Sequence, residues 1–254
     1  MICARILVVL CCVGTVVAQF QAWPNPSSTV KVPKTIPVNN SAPYDGGNVR
    51  FVAEFGDGSQ SETQPPVFKL EDGATIKNVV LGAPAADGIH CLGSCTIENV
   101  WWEDVGEDAA TFLGAAGATY MVTGGGAKKA SDKVFQHDGG GTLTIQNFQV
   151  EIFGKLYRSC GNCPHNSKNL PRKVIIDTIK ATGPGLEIAG VNYNYGDSAT
   201  LKNIQISGKV EEVCAYYEGS NNESSEPPLK AQFGPTQDGD GTYCIYKKSD
   251  IKSS

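Results

Sequence analysis

"TIKNVVLGA" (Thr75–Ala83) is a short β-branched run with an asparagine at its centre, and the chain repeats its pattern. "TIENVWWED" (Thr96–Asp104), "TIQNFQVEI" (Thr144–Ile152) and "TLKNIQISG" (Thr200–Gly208) keep the same apolar-x-Asn-apolar core. The asparagines are Asn78, Asn99, Asn147 and Asn203; Thr123 in "YMVTGG" and Asp177 in "VIIDTIK" fall between them. The ladder 78, 99, 123, 147, 177, 203 has steps of 21 to 30 residues, a solenoid spacing. The units are short and alternating, separated by Gly-rich turns, with no long helical periodicity. They predict an all-β fold: a right-handed parallel β-helix, one solenoid domain, with strands stacked roughly 4.8 Å apart. The stacked asparagines are expected at an inward turn, satisfying buried backbone groups.

The same register gathers charge. Nine residues after the first three rungs stand Asp87, Asp108 and Asp132, which stacking would place on one face. Like charges that close repel one another, so a divalent cation or a set of bases is expected among them. Bases follow directly: Lys133 beside Asp132, then Lys155 and Arg158 on the next rung. The stretch "WWEDVGEDAATFL" (Trp101–Leu113) adds Glu103, Asp104 and Glu107. Oxygen donors without a histidine cluster favour Ca²⁺, with Asp87, Glu107 and Asp108 as its ligands. Glu103 and Asp104, earlier on the coil, are read as turn or supporting residues. His137 in "FQHDGGG" shares a coil with Lys133 and is expected to line the cleft and contact substrate. His90 and His165 are taken as structural or exposed. Of Trp101 and Trp102, strand alternation puts one in the core and leaves the other free to be exposed.

The flanks set the context. "MICARILVVLCCVGTVVAQF" (Met1–Phe20) has one basic residue, an apolar run too short to span a bilayer, and small residues before Gln19. It reads as a secretion signal over residues 1–18, and no later segment could span a membrane. Residues 19–48 and 218–240 are rich in Pro, Ser, Asn and Gly. They read as an N-terminal extension and, over 218–254, a C-terminal loop or tail tied by a cysteine, around a domain at 49–217. Loss of Arg5 with the signal takes the formal charge from −5 to −6. A mildly acidic surface offers no footprint for nucleic acid, and a polyanionic substrate would need local cations. Three of the nine cysteines leave with the signal; Cys91, Cys95, Cys160, Cys163, Cys214 and Cys244 remain. An even count in a secreted chain implies three disulfides of undetermined pairing. Asn39-Asn40-Ser41 and Asn222-Glu223-Ser224 are glycosylation sequons.

At these residues a family resemblance emerges. "GDGSQSETQPPVFKLEDGATIKNVVLGAPAADGIHC", "WWEDVGEDA", "DKVFQHDGGGTLTIQNF" and "FGKLYRSCGNC" resemble the secreted pectate lyases of polysaccharide lyase family 3, in versions similar to those of plant-attacking fungi and oomycetes. The resemblance runs from about Gly56 to about Gly208. It implies a monomeric, Ca²⁺-dependent extracellular enzyme that cleaves polygalacturonate (pectate) by β-elimination. It also implies calcium ligands at Asp87, Glu107 and Asp108, basic cleft residues at Lys133, Lys155 and Arg158, and an assisting acid at Glu62. Two positions depart from related bacterial forms: Leu113 stands where they have Lys, and Ile152 where they have an acid.

The residue types suit that reaction. Removing the C5 proton of a galacturonate builds charge beside a carboxylate that is already negative, and a cation with Arg158 would offset it. Lys133 is the expected base, with Arg158 or Lys155 as alternatives. A free lysine is protonated near neutrality, so Ca²⁺, Lys155 and Arg158 are expected to lower its pKa. Two other readings compete. A β-helix polygalacturonase would hydrolyse with paired carboxylates and no metal. A catalytically inactive wall-binding or effector protein would keep the fold without turnover.

Overall fold

The computed structural model describes residues 20–253. The signal at 1–18 and the cleavage point before Gln19 lie outside the described residues. Among these, every strand joins one sixteen-stranded sheet, and every pairing but one is parallel. One coil shows how the chain winds. The strand Ala74–Leu81 is followed by a turn, the short strand Ile89–Cys91, a second turn and then Cys95–Trp102, which stacks directly on Ala74–Leu81. Ile89–Cys91 stacks between Phe68–Leu70 and Ala110–Phe112. Later coils run through longer bent strands, Thr119–His137, Gly141–Ser159 and Arg172–Asn192. The protein is a right-handed parallel β-helix, as the repeat predicts.

The repeat's apolar positions build its interior. Ile76, Ile97, Val122, Ile145, Ile176 and Leu201 occupy one register column, each opposite the next. All are buried. Each buried side chain of this size contributes about 1.5–3 kcal/mol, which repeated over the coils is what holds strands too short to be stable alone. Trp102, Phe135, Phe148 and Phe112 continue the core as edge-to-face and tilted rings.

The asparagine ladder is real, but its place and two of its rungs differ from the expectation. Asn78, Asn99, Asn147 and Asn203 all have φ between 51° and 55°, so each bends its strand through the left-handed region. Asparagine is among the few residues that tolerate that region. The register places Gly124 opposite Asn99 and Asn147, and Thr178 opposite Asn147 and Asn203. These, with φ of 66° and 58°, are the missing rungs, not Thr123 and Asp177. The ladder lies at an outer corner, half-buried to exposed, where Asn99 Nδ2 donates to Asn78 Oδ1 at 2.8 Å and Asn203 Nδ2 to Asp177 Oδ1 at 2.8 Å.

The flanks also belong to the stack. The expected extension at 19–48 carries Thr29–Val32 and Ile36–Val38, which pair into the sheet, and Tyr44–Ala53 begins inside it. The expected tail carries Leu229–Phe233, Cys244–Ile245 and Ile251–Ser253, which close the far end. A terminal coil has no neighbour to cover its core and strand edge, so these polar-looking segments are needed as caps. The disulfides pair Cys91–Cys95, Cys160–Cys163 and Cys214–Cys244, the last tying the cap to the final coils. Trp102 points inward. Trp101 points outward yet is also buried, because Trp23 of the N-terminal segment packs edge-on against it at 4.7 Å. Among the described residues no helix is long and apolar enough to cross a membrane.

Candidate active site

The paired residues Ile89, Ala110 and Phe135 fix the site's register. Two positions before each stand Asp87, Asp108 and Lys133. Lys155 is paired with Lys133, Glu187 with Lys155, and Glu212 with Glu187. The column that runs along the cleft is therefore Asp87, Asp108, Lys133, Lys155, Glu187, Glu212. Asp132 is not in it: the expectation placed Asp132 under Asp108 because it counted from Thr123 instead of Gly124. Three residues further along each strand runs a second column, in which His90, Thr111, Gln136, Arg158 and Gly190 are paired in turn.

Asp87, Glu107 and Asp108 are all buried, and one carboxylate oxygen from each lies within 4.8 Å of the others. Gly106 allows this approach. A Cβ there would collide with the Ala86 carbonyl, and Glu107 N–H donates to that same carbonyl at 2.9 Å. Buried Asp87 Oδ1 and Asp108 Oδ1 lack any hydrogen-bond donor. Burial pushes the Asp108 carboxyl well above its ordinary pKa; Lys133 opposes the shift, and Glu107 and Asp87 add to it. Glu107 is raised in the same way. Hard oxygen donors, crowded negative charge and two unsatisfied buried oxygens fit a divalent cation of the Ca²⁺ type.

His90 Nε2 donates to Asp87 Oδ2 at 2.7 Å and so belongs to this centre. Its only sequence signal is its place three residues after Asp87. Glu103 and Asp104 lie outside it, paired with Arg50 at 2.6 Å and with Lys129 at 3.3 Å.

Lys133 is buried against the carboxylates, with Nζ 2.7 Å from Asp132 Oδ2, 3.4 Å from Glu107 Oε1 and 3.6 Å from Asp108 Oδ1. Burial alone would lower its pKa, but Asp108, Asp132 and Glu107 outweigh that and raise it. The protein charges nearest to it are acids and not Lys155 or Arg158, so of the expected causes of a lowered pKa only a bound cation could act against them. Asp132 bridges Lys133 to Lys155, whose Nζ is 2.6 Å from Oδ1.

Arg158 is buried. Its guanidinium lies 4.1 Å over the Tyr217 ring, and Nη1 donates to Ser159 O and Asn192 Oδ1. Tyr217 donates to Glu187 Oε2 at 2.7 Å, while Glu187 Oε1 is buried without a partner. Glu187, Tyr217 and Asn192 were not legible in the sequence, since the longer coil between Lys155 and Glu187 hides their alignment.

Glu62 sits on the exposed loop between Ala53 and Val67, above the centre. Crowding by the protein raises its pKa, and Glu107 adds both charge and a hydrogen bond. Gln60 Nε2 anchors the loop to Gly106 O at 2.8 Å. His137, expected in the cleft, has no solvent exposure. It lies in the core between Tyr120 and Tyr157, bonded to Tyr157 Oη at 3.0 Å, so it is not a substrate contact. The strand's alternation turns it inward.

Residues 20–224 match the family described as "Pectate lyase". The chain is 44% identical over 229 residues to pectate lyase E of Emericella nidulans, covering 89% of this chain and 85% of that one. It is 40% identical to pectate lyase H of the same fungus, over 88% of this chain and 82% of that one. Among solved structures it resembles the catalytic domain of pectate lyase PelI from Erwinia chrysanthemi, with 33% identity and a TM-score of 0.72 over 90% of this chain and 98% of that one. A second PelI structure, solved in complex with tetragalacturonic acid, gives 34% identity and a TM-score of 0.69, covering 90% of this chain and 71% of that one.

Proposed function

The chain belongs to the pectate lyase family, and from that premise we propose that it is an extracellular, calcium-dependent enzyme that cleaves polygalacturonate by β-elimination. One observation carries the reading: a buried triad of carboxylates has two unpartnered oxygens, and two of its members, Asp87 and Asp108, stand in the same column as Lys133 and Lys155. Asp87, Glu107 and Asp108 would hold Ca²⁺. Bound there, it would supply positive charge to the triad and an anchor for a substrate carboxylate.

The chain's own residues divide the remaining work. Lys155 and Arg158 orient the galacturonate carboxylate and stabilise the charge that spreads onto it. Lys133 takes the C5 proton. Two of the three carboxylates that keep this lysine protonated, Asp108 and Glu107, are ones the cation would neutralise, so a loaded site would favour its accepting a proton. The C5–H electrons form the C4=C5 double bond as the C4–O4 bond breaks. Glu62, raised in pKa and above the site, can return a proton to the departing O4.

All these groups come from one chain, which is consistent with a monomer. Three disulfides suit an oxidising compartment, in keeping with the leader read at residues 1–18. The test is ultraviolet absorbance of unsaturated product on polygalacturonate, with Ca²⁺ and then with a chelator. Reducing ends without that absorbance would mean hydrolysis. Binding without turnover at any pH would mean an inactive wall-binding protein.

A further inference from the structure

Arg158 is held by one of its terminal nitrogens alone. Nη1 uses both its hydrogens inside the protein, donating to Ser159 O at 2.8 Å and to Asn192 Oδ1 at 3.0 Å. Among the described residues no acceptor meets Nε or Nη2. One whole edge of the guanidinium is therefore free, the pair of parallel N–H groups that grips a carboxylate in bidentate fashion. A guanidinium on a flexible stem presents such an edge in one direction only if its rotation is fixed. Tyr217 fixes the plane, since the cation lies 4.1 Å over its ring. Rotation within that plane is left to Asn192.

Asn192 has no solvent exposure, and its amide fits only one way round. Nδ2 lies among acceptors: Cys160 O at 2.9 Å, Ser159 Oγ at 3.2 Å and Asp197 Oδ2 at 3.2 Å. Turned over, the amide would set its oxygen against a carboxylate and a carbonyl, and its N–H groups against the guanidinium. Asp197 does most to forbid that reversal, and it is fixed in turn. It is fully buried, accepts the backbone N–H of Arg172 on Oδ1 at 2.8 Å, and has Arg172 Nη1 3.6 Å from Oδ2. Arg172, equally buried, donates to the carbonyls of Gly139 and Asp138 at 2.8 and 2.7 Å. A fully buried ion pair is weak evidence for stability by itself, so the purpose of this one lies in what it orients. The line of contacts runs Arg172, Asp197, Asn192, Arg158.

We propose that Asn192, locked by Asp197, is a positioning residue for the reaction, setting the Arg158 guanidinium so that its free edge meets the galacturonate carboxylate. The inference rests on the lyase reading above. Its test makes Asn192→Ala and Asn192→Ser in the parent and again in Arg158→Lys, whose single ammonium has no edge to set. Serine keeps a hydroxyl for the Cys160 carbonyl but is too short to reach Arg158. In the parent, kcat on polygalacturonate with Ca²⁺ falls about tenfold in both variants with KM within twofold, because the contact acts on charge that develops in the transition state. In Arg158→Lys the same replacements change kcat less than twofold, since the contact they remove is already gone. Nitrogen NMR of the arginine side chains reads the hold without turnover, and outside residues 1–18 the arginines are only Arg50, Arg158 and Arg172. The Arg158 Nη signals are separate in the parent, where rotation about the Cζ–Nη bonds is hindered, and merge in either variant. Tenfold losses that recur in Arg158→Lys, or Arg158 signals unchanged by both replacements, overturn the positioning role. Absence of unsaturated product from the parent overturns the lyase reading and this role with it, and the nitrogen signals tell that failure from a failure of the Asn192 contact alone.

Discussion

Lys133 stands one coil above Asp108 in the same register column, with Nζ 3.6 Å from Oδ1. Both are buried, and the carboxylate has no other donor on that oxygen. The base and the calcium ligand proposed above thus share one electrostatic problem, and each influences the other's protonation.

Asp108→Asn removes one carboxylate from the crowded triad. It should not destabilise the metal-free protein. It should abolish the stabilisation by Ca²⁺, which for the parent amounts to about 2.7 kcal/mol at 100 times the Kd. Lyase activity should fall by roughly two orders of magnitude or more. Thermal melts with CaCl₂ and with chelator, alongside the absorbance assay, check both; an undiminished Ca²⁺ shift would remove Asp108 from the site.

Lys133→Met leaves Glu107 and Asp108 facing one another without their cation. Their pKa values, already raised by burial, should climb further. A carboxyl whose folded pKa exceeds its unfolded value stabilises the fold at low pH, and that contribution is lost as pH rises through the folded pKa. The variant should therefore be near-normal at pH 4–5 and weaker at pH 8, by about 3 kcal/mol for a broken buried pair. Added Ca²⁺ should restore stability without restoring turnover. Urea melts across pH, with and without Ca²⁺, measure this, and substantial activity would exclude Lys133 as the base.

Tyr217→Phe keeps the ring under Arg158 but strips Glu187 of its one hydrogen-bond donor. Activity should drop several-fold, with stability lower by about 1–3 kcal/mol for the orphaned carboxylate. Tyr217→Ala also removes the stacking surface and should cost more activity than Tyr217→Phe. Equal kcat/KM in the two variants would show that the stacked ring does not position Arg158.

His137 is held down to about 3 by burial, with Arg172 adding to the shift, so it is neutral in the fold. Unfolded, it charges near its ordinary 6.5. Its contribution is present above pH 6.5 and is lost as pH falls toward 3. Asp138 beside it, raised to about 6 by burial, has the opposite sign and loses its contribution as pH rises through 6. His137→Gln should flatten the stability loss between pH 6.5 and 4, with about one proton fewer taken up on unfolding. Denaturation midpoints at four pH values would show it, and an unchanged slope would place His137 in solvent after all.

The solenoid is legible in the amino-acid order alone, because β-branched runs at coil spacing have one economical way to bury their apolar faces. The clustering of Asp87, Glu107 and Asp108 is legible there too, since "ADG" and "VGED" carry Asp87 and Asp108 at equal distances from Asn78 and Asn99, where the ladder is explicit. What lies beyond Asn99 is settled by the folded coils. There Gly124 and Thr178 adopt the left-handed bend without an asparagine to announce it, and the count from Thr123 runs one residue early. In a strand a one-residue error exchanges the two faces. That is why Lys133 and not Asp132 continues the column of Asp108, and why His137 belongs to the core and not the cleft. The alignment of Glu187 and Tyr217 with Arg158, the disulfide pairing and the capping role of the two polar ends depend on coil lengths and long-range contacts, which local pattern does not encode.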